Sequence, residues 1–213
     1  PALHAQQLLD VLSCFAAQEK TVESIGDEIY TSEMWHETNA QNNSIIVRNV
    51  HFPESILDMI YSGPHIGVAN PIFQSSKRDC NTHRAFDNVD LGVMSVEYLQ
   101  RCNYSPASDI EEYLKRIPTA PWGEKYHSSY RVLARKMLNL SGERTLVSAI
   151  VPPLTTHTNG LLGFFFKDQY MLVLAAALFS SIPYDFFIKV MGKSNLYEDN
   201  AGKLPIVDSK FNH

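Results

Sequence analysis

The chain has 213 residues, 45% apolar and 19% charged, which suits one generous globular domain or two small ones and excludes a disordered chain. Its 18 basic and 23 acidic residues leave a formal charge of -5, which excludes a uniformly cationic nucleic-acid binder but not a local basic patch. The charge is uneven: residues 1–60 hold 2 basic and 9 acidic side chains, whereas 125–144 carry Lys125, Arg131, Arg135, Lys136 and Arg144 against Glu143 alone.

In chain order, His4 to Gln18 predicts an amphipathic helix, with Leu8, Leu9, Leu12, Phe15 and Ala16 at helical spacing. Ile45 to Phe52 is β-branched and alternating, hence a strand, closed by Pro53. Ser55 suits the cap of a short helix through Ile60, ended by Ser62-Gly63-Pro64. Ile66 to Phe73 reads as a short strand meeting a loop. From Gln74 to Asn103 the chain is polar and rich in turn formers, so a long excursion is expected, of the kind that often carries function.

Tyr126 to Leu140 predicts a second amphipathic helix. Tyr130, Leu133, Met137 and Leu140 fall on one side, Arg131 and Arg135 stack at i,i+4 on another, and Ser141-Gly142 ends it. Thr145 to Val151 is the clearest buried strand, stopped by Pro152-Pro153, and Gly160 to Phe166 is a further apolar one. Asp168 caps a helix to about Ser180, Pro183 separates it from 184–190, and 192–206 reads as loop. The expected fold is a mixed α/β (α+β) domain, a sheet with flanking helices and a long excursion. Residues 1–60 form an N-terminal helix and acidic packing segment, and 61–213 the larger unit.

The apolar stretch from Tyr170 to Tyr184 is shorter than the roughly 20 residues of a membrane span, so it is expected in the core. The N-terminus has no basic region followed by an apolar run, so no secretory signal is expected. Three cysteines without a CxxC argue against a disulfide framework and for a reducing, cytoplasmic setting.

Self-contained active sites are scarce. Asn70-Pro71-Ile72-Phe73 is a near miss to the Asn-Pro-Pro-Tyr/Phe loop of amino-methyltransferases, whose aromatic ring stacks on an extruded base; a strand-end turn is the plainer reading. Cys80 and His83, with Cys102 and a distant histidine such as His65, could supply zinc ligands, but a buried thiol and a surface imidazole are expected instead. There is no HExxH, GxSxG or P-loop, so no catalytic, metal or cofactor-binding residue is assigned. Groups suited to nucleic acid do recur. Arg131, Arg135, Lys136 and Arg144, with Lys193, are candidates for phosphates. Arg78, Asn81, Asn103, Tyr104 and Asn195, on expected loops, are candidates for base edges.

Several segments, taken as strings, resemble one family. They are Met34-Trp35-His36-Glu37-Thr38, Ser62-Gly63-Pro64-His65, Asn70-Pro71, Asp90-Leu91, Asn103-Tyr104, Gly142-Glu143-Arg144-Thr145-Leu146 with Ala149-Ile150-Val151-Pro152-Pro153, and Asp185-Phe186-Phe187 with Lys189 and Gly192-Lys193. Their order is similar to the C-terminal target-recognition part of large bacterial N6-adenine DNA methyltransferases of restriction-modification and phage-defence systems. The helix after Asp168, leading to Leu204-Pro205-Ile206, is similar to the helix-then-Leu-Pro arrangement of type I specificity subunits. The resemblance runs from about Met34 to Ile206.

That likeness implies a module that grips double-stranded DNA while S-adenosylmethionine and the methyl-transfer chemistry belong to a catalytic domain elsewhere in the parent chain. Neither a cofactor-binding glycine motif nor an intact Asn-Pro-Pro-Tyr/Phe is present, so the chemistry itself is not carried over. The alternatives are a degenerate free-standing methyltransferase, or an interaction module of a defence complex with Trp35 or Trp122 as anchors. The cations of 125–144 gathered on one concave surface would favour DNA; the same cations dispersed or paired with acids would favour the interaction module.

Overall fold

The computed structural model describes residues 4–82 and 84–207. The helices are α1 (Ala5–Ala16), α2 (Glu37–Asn42), α3 (Ile110–Lys115), α4 (Gln169–Phe179), α5 (Ile182–Met191) and α6 (Glu198–Ala201). The strands are β1 (Ile29–Ser32), β2 (Ile46–His51), β3 (Ile60–Tyr61), β4 (Gln74–Ser76), β5 (Phe86–Asn88), β6 (Cys102–Pro106), β7 (Arg131–Arg135), β8 (Ser148–Val151), β9 (Thr156–His157) and β10 (Leu161–Phe166). The fold is a mixed α/β one.

Its centre is a four-stranded antiparallel sheet in the order β1-β10-β7-β8. All six residues of β10 are buried, which is why the segment is apolar without alternation. One face packs Val132, Ala134, Leu162, Phe164 and Phe166 against Leu172, Ala175 and Phe179 of α4 and Tyr184 and Ile188 of α5. The other face carries Leu133, Ala149, Val151 and Leu161 onto Met59, Tyr61, Ile66 and Cys102. Phe165, on that same side, meets Trp35, Tyr104, Tyr113 and Tyr126. The sheet is thus a middle layer, with α4 and α5 on one side and the short pairs β2–β6, β3–β9 and β4–β5, together with α2 and α3, on the other.

Residues 1–60 do not stand apart from the rest. β1 pairs with β10, and β2 pairs with β6. The helix ends follow ordinary capping chemistry: Asp168 accepts from the Tyr170 N–H, Ser181 from the Tyr184 N–H with Pro183 in the first turn, and Gly192 closes α5 at φ +66°. Ser55 caps as expected, but over a 3-10 turn, Ile56–Asp58, instead of a longer helix.

The largest correction concerns 126–140, which is not a helix. Its centre is β7, flanked on both sides by strands, with Val132, Leu133 and Ala134 all buried. Tyr130 and Met137, assigned to an apolar helix face, are 50% and 77% exposed. The expected strand over 66–73 is instead a tight turn in which Gly67 and Asn70 exchange backbone hydrogen bonds. The Asn70 side chain caps that turn by accepting from the Ile72 N–H. Gly67 is required there, since a Cβ would lie 2.8 Å from the Phe73 ring.

Among the described residues no single helix is long and apolar enough to cross a membrane. The 170–184 stretch, spread over α4 and the start of α5, contributes Leu172, Ala175, Phe179 and Tyr184 to the core. Cys14, Cys80 and Cys102 are all free thiols.

Candidate nucleic-acid interface

A cleft of about 400 Å³ opens between the β2–β6 pair, the 62–65 turn, the end of β7 and the β4–β5 hairpin. Its walls carry Glu37, Arg48, Ser62, Asn103, Arg135 and Phe86, with Asn81 and Thr82 from the hairpin loop. The volume lies in the range of roughly 300–1,000 Å³ usual for small-molecule sites.

Arg48 faces Tyr104 across the antiparallel β2–β6 pair, just before a register shift between Arg48 and His51. Such irregularities re-aim side chains. The Arg48 guanidinium donates from Nη1 to Tyr104 Oη at 3.1 Å and from Nη2 to the carbonyl of Cys80, which ties the 77–85 loop to the strand. Tyr104 Oη in turn donates to Glu37 Oε2 at 2.9 Å. Burial, reinforced by the Glu37 carboxylate, pushes the Tyr104 phenol up to about 12, so it stays protonated and holds this donor role. Arg48 and Glu37 therefore stand on either side of one phenol, a cation and an anion facing the same cleft.

On the opposite wall, Arg135 donates from Nε to the Ile66 carbonyl at 2.7 Å and from Nη2 to that of Pro64 at 3.4 Å, with its guanidinium 5.6 Å from the Phe73 ring centroid. Asn103 is oriented by Ser62, whose hydroxyl donates to Asn103 Oδ1 at 3.0 Å. Ser62 is held in turn by His65, whose Nδ1 accepts from the Ser62 N–H while Nε2–H donates to the Arg101 carbonyl. Burial brings the His65 imidazole down to about 4, so it is neutral at physiological pH. Neither Arg48 nor Arg135 makes an ion pair with a carboxylate among the described residues.

The structure treats the sequence-predicted residues unequally. Arg135, Asn81 and Asn103 line the cleft, and Tyr104 braces it from behind. Asn103 and Tyr104 are on β6 and buried, not on a loop. Arg131 cannot reach a phosphate. It is wholly buried, its Nη2 donating to the carbonyls of Pro152 and Thr155 and to Thr155 Oγ1, and its guanidinium 5.0 Å from the Tyr126 ring centroid.

Lys136 is engaged by Glu33 at 2.7 Å and lies 4.5 Å from the Tyr197 ring centroid. Arg144 donates to the Ser180 carbonyl at 2.8 Å and pairs with Asp185 at 3.4 Å. Arg78 and Lys193 are exposed, and half-buried Asn195 accepts through its carbonyl from Asn200. The basic run at 125–144 is thus an internal brace, with only Arg135 opening on the cleft.

The most specific motif of the resemblance has a structural part to play. Asp185 Oδ1 accepts from the Thr145 and Leu146 N–H groups at 2.6 and 2.7 Å, which joins Gly142–Leu146 to the Asp185-Phe186-Phe187 segment. Of the suggested zinc ligands, His83 lies outside the described residues, and both His65 ring nitrogens are occupied. Trp35 is 6% exposed, its Nε1 donating to Tyr113 Oη, whereas Trp122 packs on Phe165 and stays partly exposed, so of the two only Trp35 is withdrawn from the surface.

Arg48 and Glu37 are the residues that sequence reasoning missed. A signal existed: Arg48 is the one cation between Lys20 and Lys77, set in a β-branched strand of an acidic segment. No known protein family matches the chain, and no curated protein matches it.

Proposed function

We propose that this chain is the target-recognition part of a bacterial S-adenosylmethionine-dependent N6-adenine DNA methyltransferase of a restriction-modification or phage-defence system. It binds duplex DNA, while a catalytic domain of the parent chain extrudes and methylates the adenine. The observation that carries this reading is the cleft, lined by two guanidinium groups without carboxylate partners among the described residues, Arg48 and Arg135, and by the amides of Asn81 and Asn103. Guanidinium and amide groups are the usual donors to phosphates and purine edges. The motif resemblance along 34–206 supports the same reading.

The net charge of -5 sets the expected strength. Affinity for duplex DNA comes largely from phosphate neutralisation, and acidic residues outnumber basic ones here. Binding by this chain alone is weak and salt-sensitive, and tethering to a second DNA-contacting domain raises its effective concentration.

The test is fluorescence anisotropy with a labelled duplex across a salt series. Arg135→Ala weakens binding about tenfold on all sequences and flattens the salt slope by about one unit. Unchanged affinity and slope would remove Arg135 from the interface. Exchange of this region between two related parents moves the methylated adenines; an unmoved site overturns the specificity role.

A second reading, a protein-interaction module of a defence complex, draws on the pairing of Lys136 with Glu33 and of Arg144 with Asp185. Under that reading the duplex titration stays flat at low salt.

A further inference from the structure

We propose that the cleft takes a single unpaired guanine nucleotide, its base on the Glu37–Arg48 wall and its phosphate toward Arg135. This rests on the nucleic-acid reading only for the source of the nucleotide, which is either a guanine displaced from DNA or a free guanosine phosphate.

The shape points away from an intact base-pair edge. A duplex is convex at that edge and is read by side chains that project into its grooves, whereas here the donors and acceptors line a concave space of about 400 Å³, the scale of a small-molecule site. Phe86 adds a ring to the wall, and an aromatic face stacks on any base.

Selectivity comes from Glu37. Its Oε2 is fixed by the Tyr104 hydroxyl, and Oε1 remains to accept. Guanine presents two adjacent donors, N1–H and the N2 amino group, to one carboxylate. Adenine and cytosine set a ring-nitrogen acceptor beside their amino group, and that lone pair opposes the carboxylate. Arg48, on the other side of the same phenol, donates to the O6 and N7 acceptors that only guanine offers together. The Asn103 amide is placed by Ser62 to add a further donor, since its Oδ1 already accepts and its Nδ2 is the free end. Arg135 spends Nε and Nη2 on carbonyls, leaving Nη1 for an anionic oxygen.

The experiment uses the 213-residue chain. Calorimetric titration with GMP, AMP and CMP is run beside anisotropy on duplexes carrying a single bulged dG, dA or dC, and on the fully paired duplex. GMP or the dG bulge binds at least tenfold tighter than its adenine and cytosine counterparts. Glu37→Gln erases that preference, and Phe86→Ala weakens all three bases alike; thermal melts establish that both variants fold. Preference in the bulge series alone assigns the source to DNA, and preference among free nucleotides alone assigns it to a soluble nucleotide. Equal binding of the three bases in both series, or a guanine preference that survives Glu37→Gln, overturns the inference. If paired duplex is bound without base preference, the proposal falls and the DNA-recognition reading stands; if GMP is bound and no duplex is, the reverse holds.

Discussion

The Tyr126 hydroxyl donates to Nε2 of His157 at 2.9 Å, in a space that exists because residue 163 of β10 has no side chain. The opposite ring nitrogen of His157, Nδ1, lies 3.1 Å from the Thr158 carbonyl and donates to it, which makes Nε2 the acceptor. A Cβ at Gly163 would lie 1.8 Å from Tyr126 Oη and 2.8 Å from both His157 Nε2 and a Leu133 methyl. The strand is glycine-containing because a buried hydrogen bond passes where its side chain would be.

Gly163→Ala is therefore expected to destabilise the fold by on the order of 3 kcal/mol, because a packed core must shift to admit one methyl group. Adding Tyr126→Phe removes the hydroxyl and recovers part of the loss, which a double-mutant cycle by urea unfolding measures. Full additivity of the two changes would mean that the clash lies elsewhere.

Stability should fall on mild acidification. Burial lowers His65 to about 4 and His157 to about 3, whereas an unfolded histidine titrates near 6.5. Between these values the unfolded chain binds more protons than the folded one. The neutral rings thus contribute fully above about pH 6.5, and their contribution is lost as the pH drops toward 4. Each costs up to about 1.4 kcal/mol per pH unit in that window. The urea midpoint is expected to be level from pH 8 to 7 and to decline below 6.5, less steeply in His157→Gln. A midpoint that rises between pH 6.5 and 5 contradicts this.

Arg131 should prove replaceable by an apolar chain of similar length. Its Nε and Nη1 are buried without hydrogen-bond partners, and among the described residues no carboxylate pairs with it. Desolvation of that cation offsets much of what the Nη2 bonds contribute. Arg131→Met is expected within about 2 kcal/mol of the parent, while Arg131→Ala, which also leaves a cavity, costs on the order of 3–5 kcal/mol. DNA affinity of the folded Arg131→Met chain is unchanged; a weakened duplex complex would return Arg131 to the binding surface.

Asp185→Ala should cost on the order of 3 kcal/mol, because it strands two buried N–H donors, those of Thr145 and Leu146, and unpairs Arg144. Asp185→Asn keeps an acceptor oxygen and recovers part of the loss. Thermal melts at pH 7 rank the three chains, and equal melting temperatures would show that the tie carries no weight.

Much of the frame was legible because local chemistry and burial agree there. Asp168 and Gly192 bracket the α4–α5 pair as capping chemistry requires, and the solid apolar run of β10 matches a strand covered on both faces. The segment around β7 misled for a physical reason. A central strand buries both faces and so loses its alternation, and Arg131 and Arg135 at its two ends imitate an i,i+4 pair. The basic run therefore looked like a surface, although Arg131 answers to buried carbonyls.

The cleft was half legible. Arg135, Asn81 and Asn103 could be named from their chemistry, but Glu37, Arg48 and Tyr104 meet only through the β2–β6 pairing, which joins segments more than fifty residues apart.

The grip of Arg48 on the Cys80 carbonyl has a mechanical corollary. One guanidinium both anchors the hairpin tip and fronts the cavity, so whatever draws it inward loosens the tether, and occupancy and loop order become two readings of a single latch.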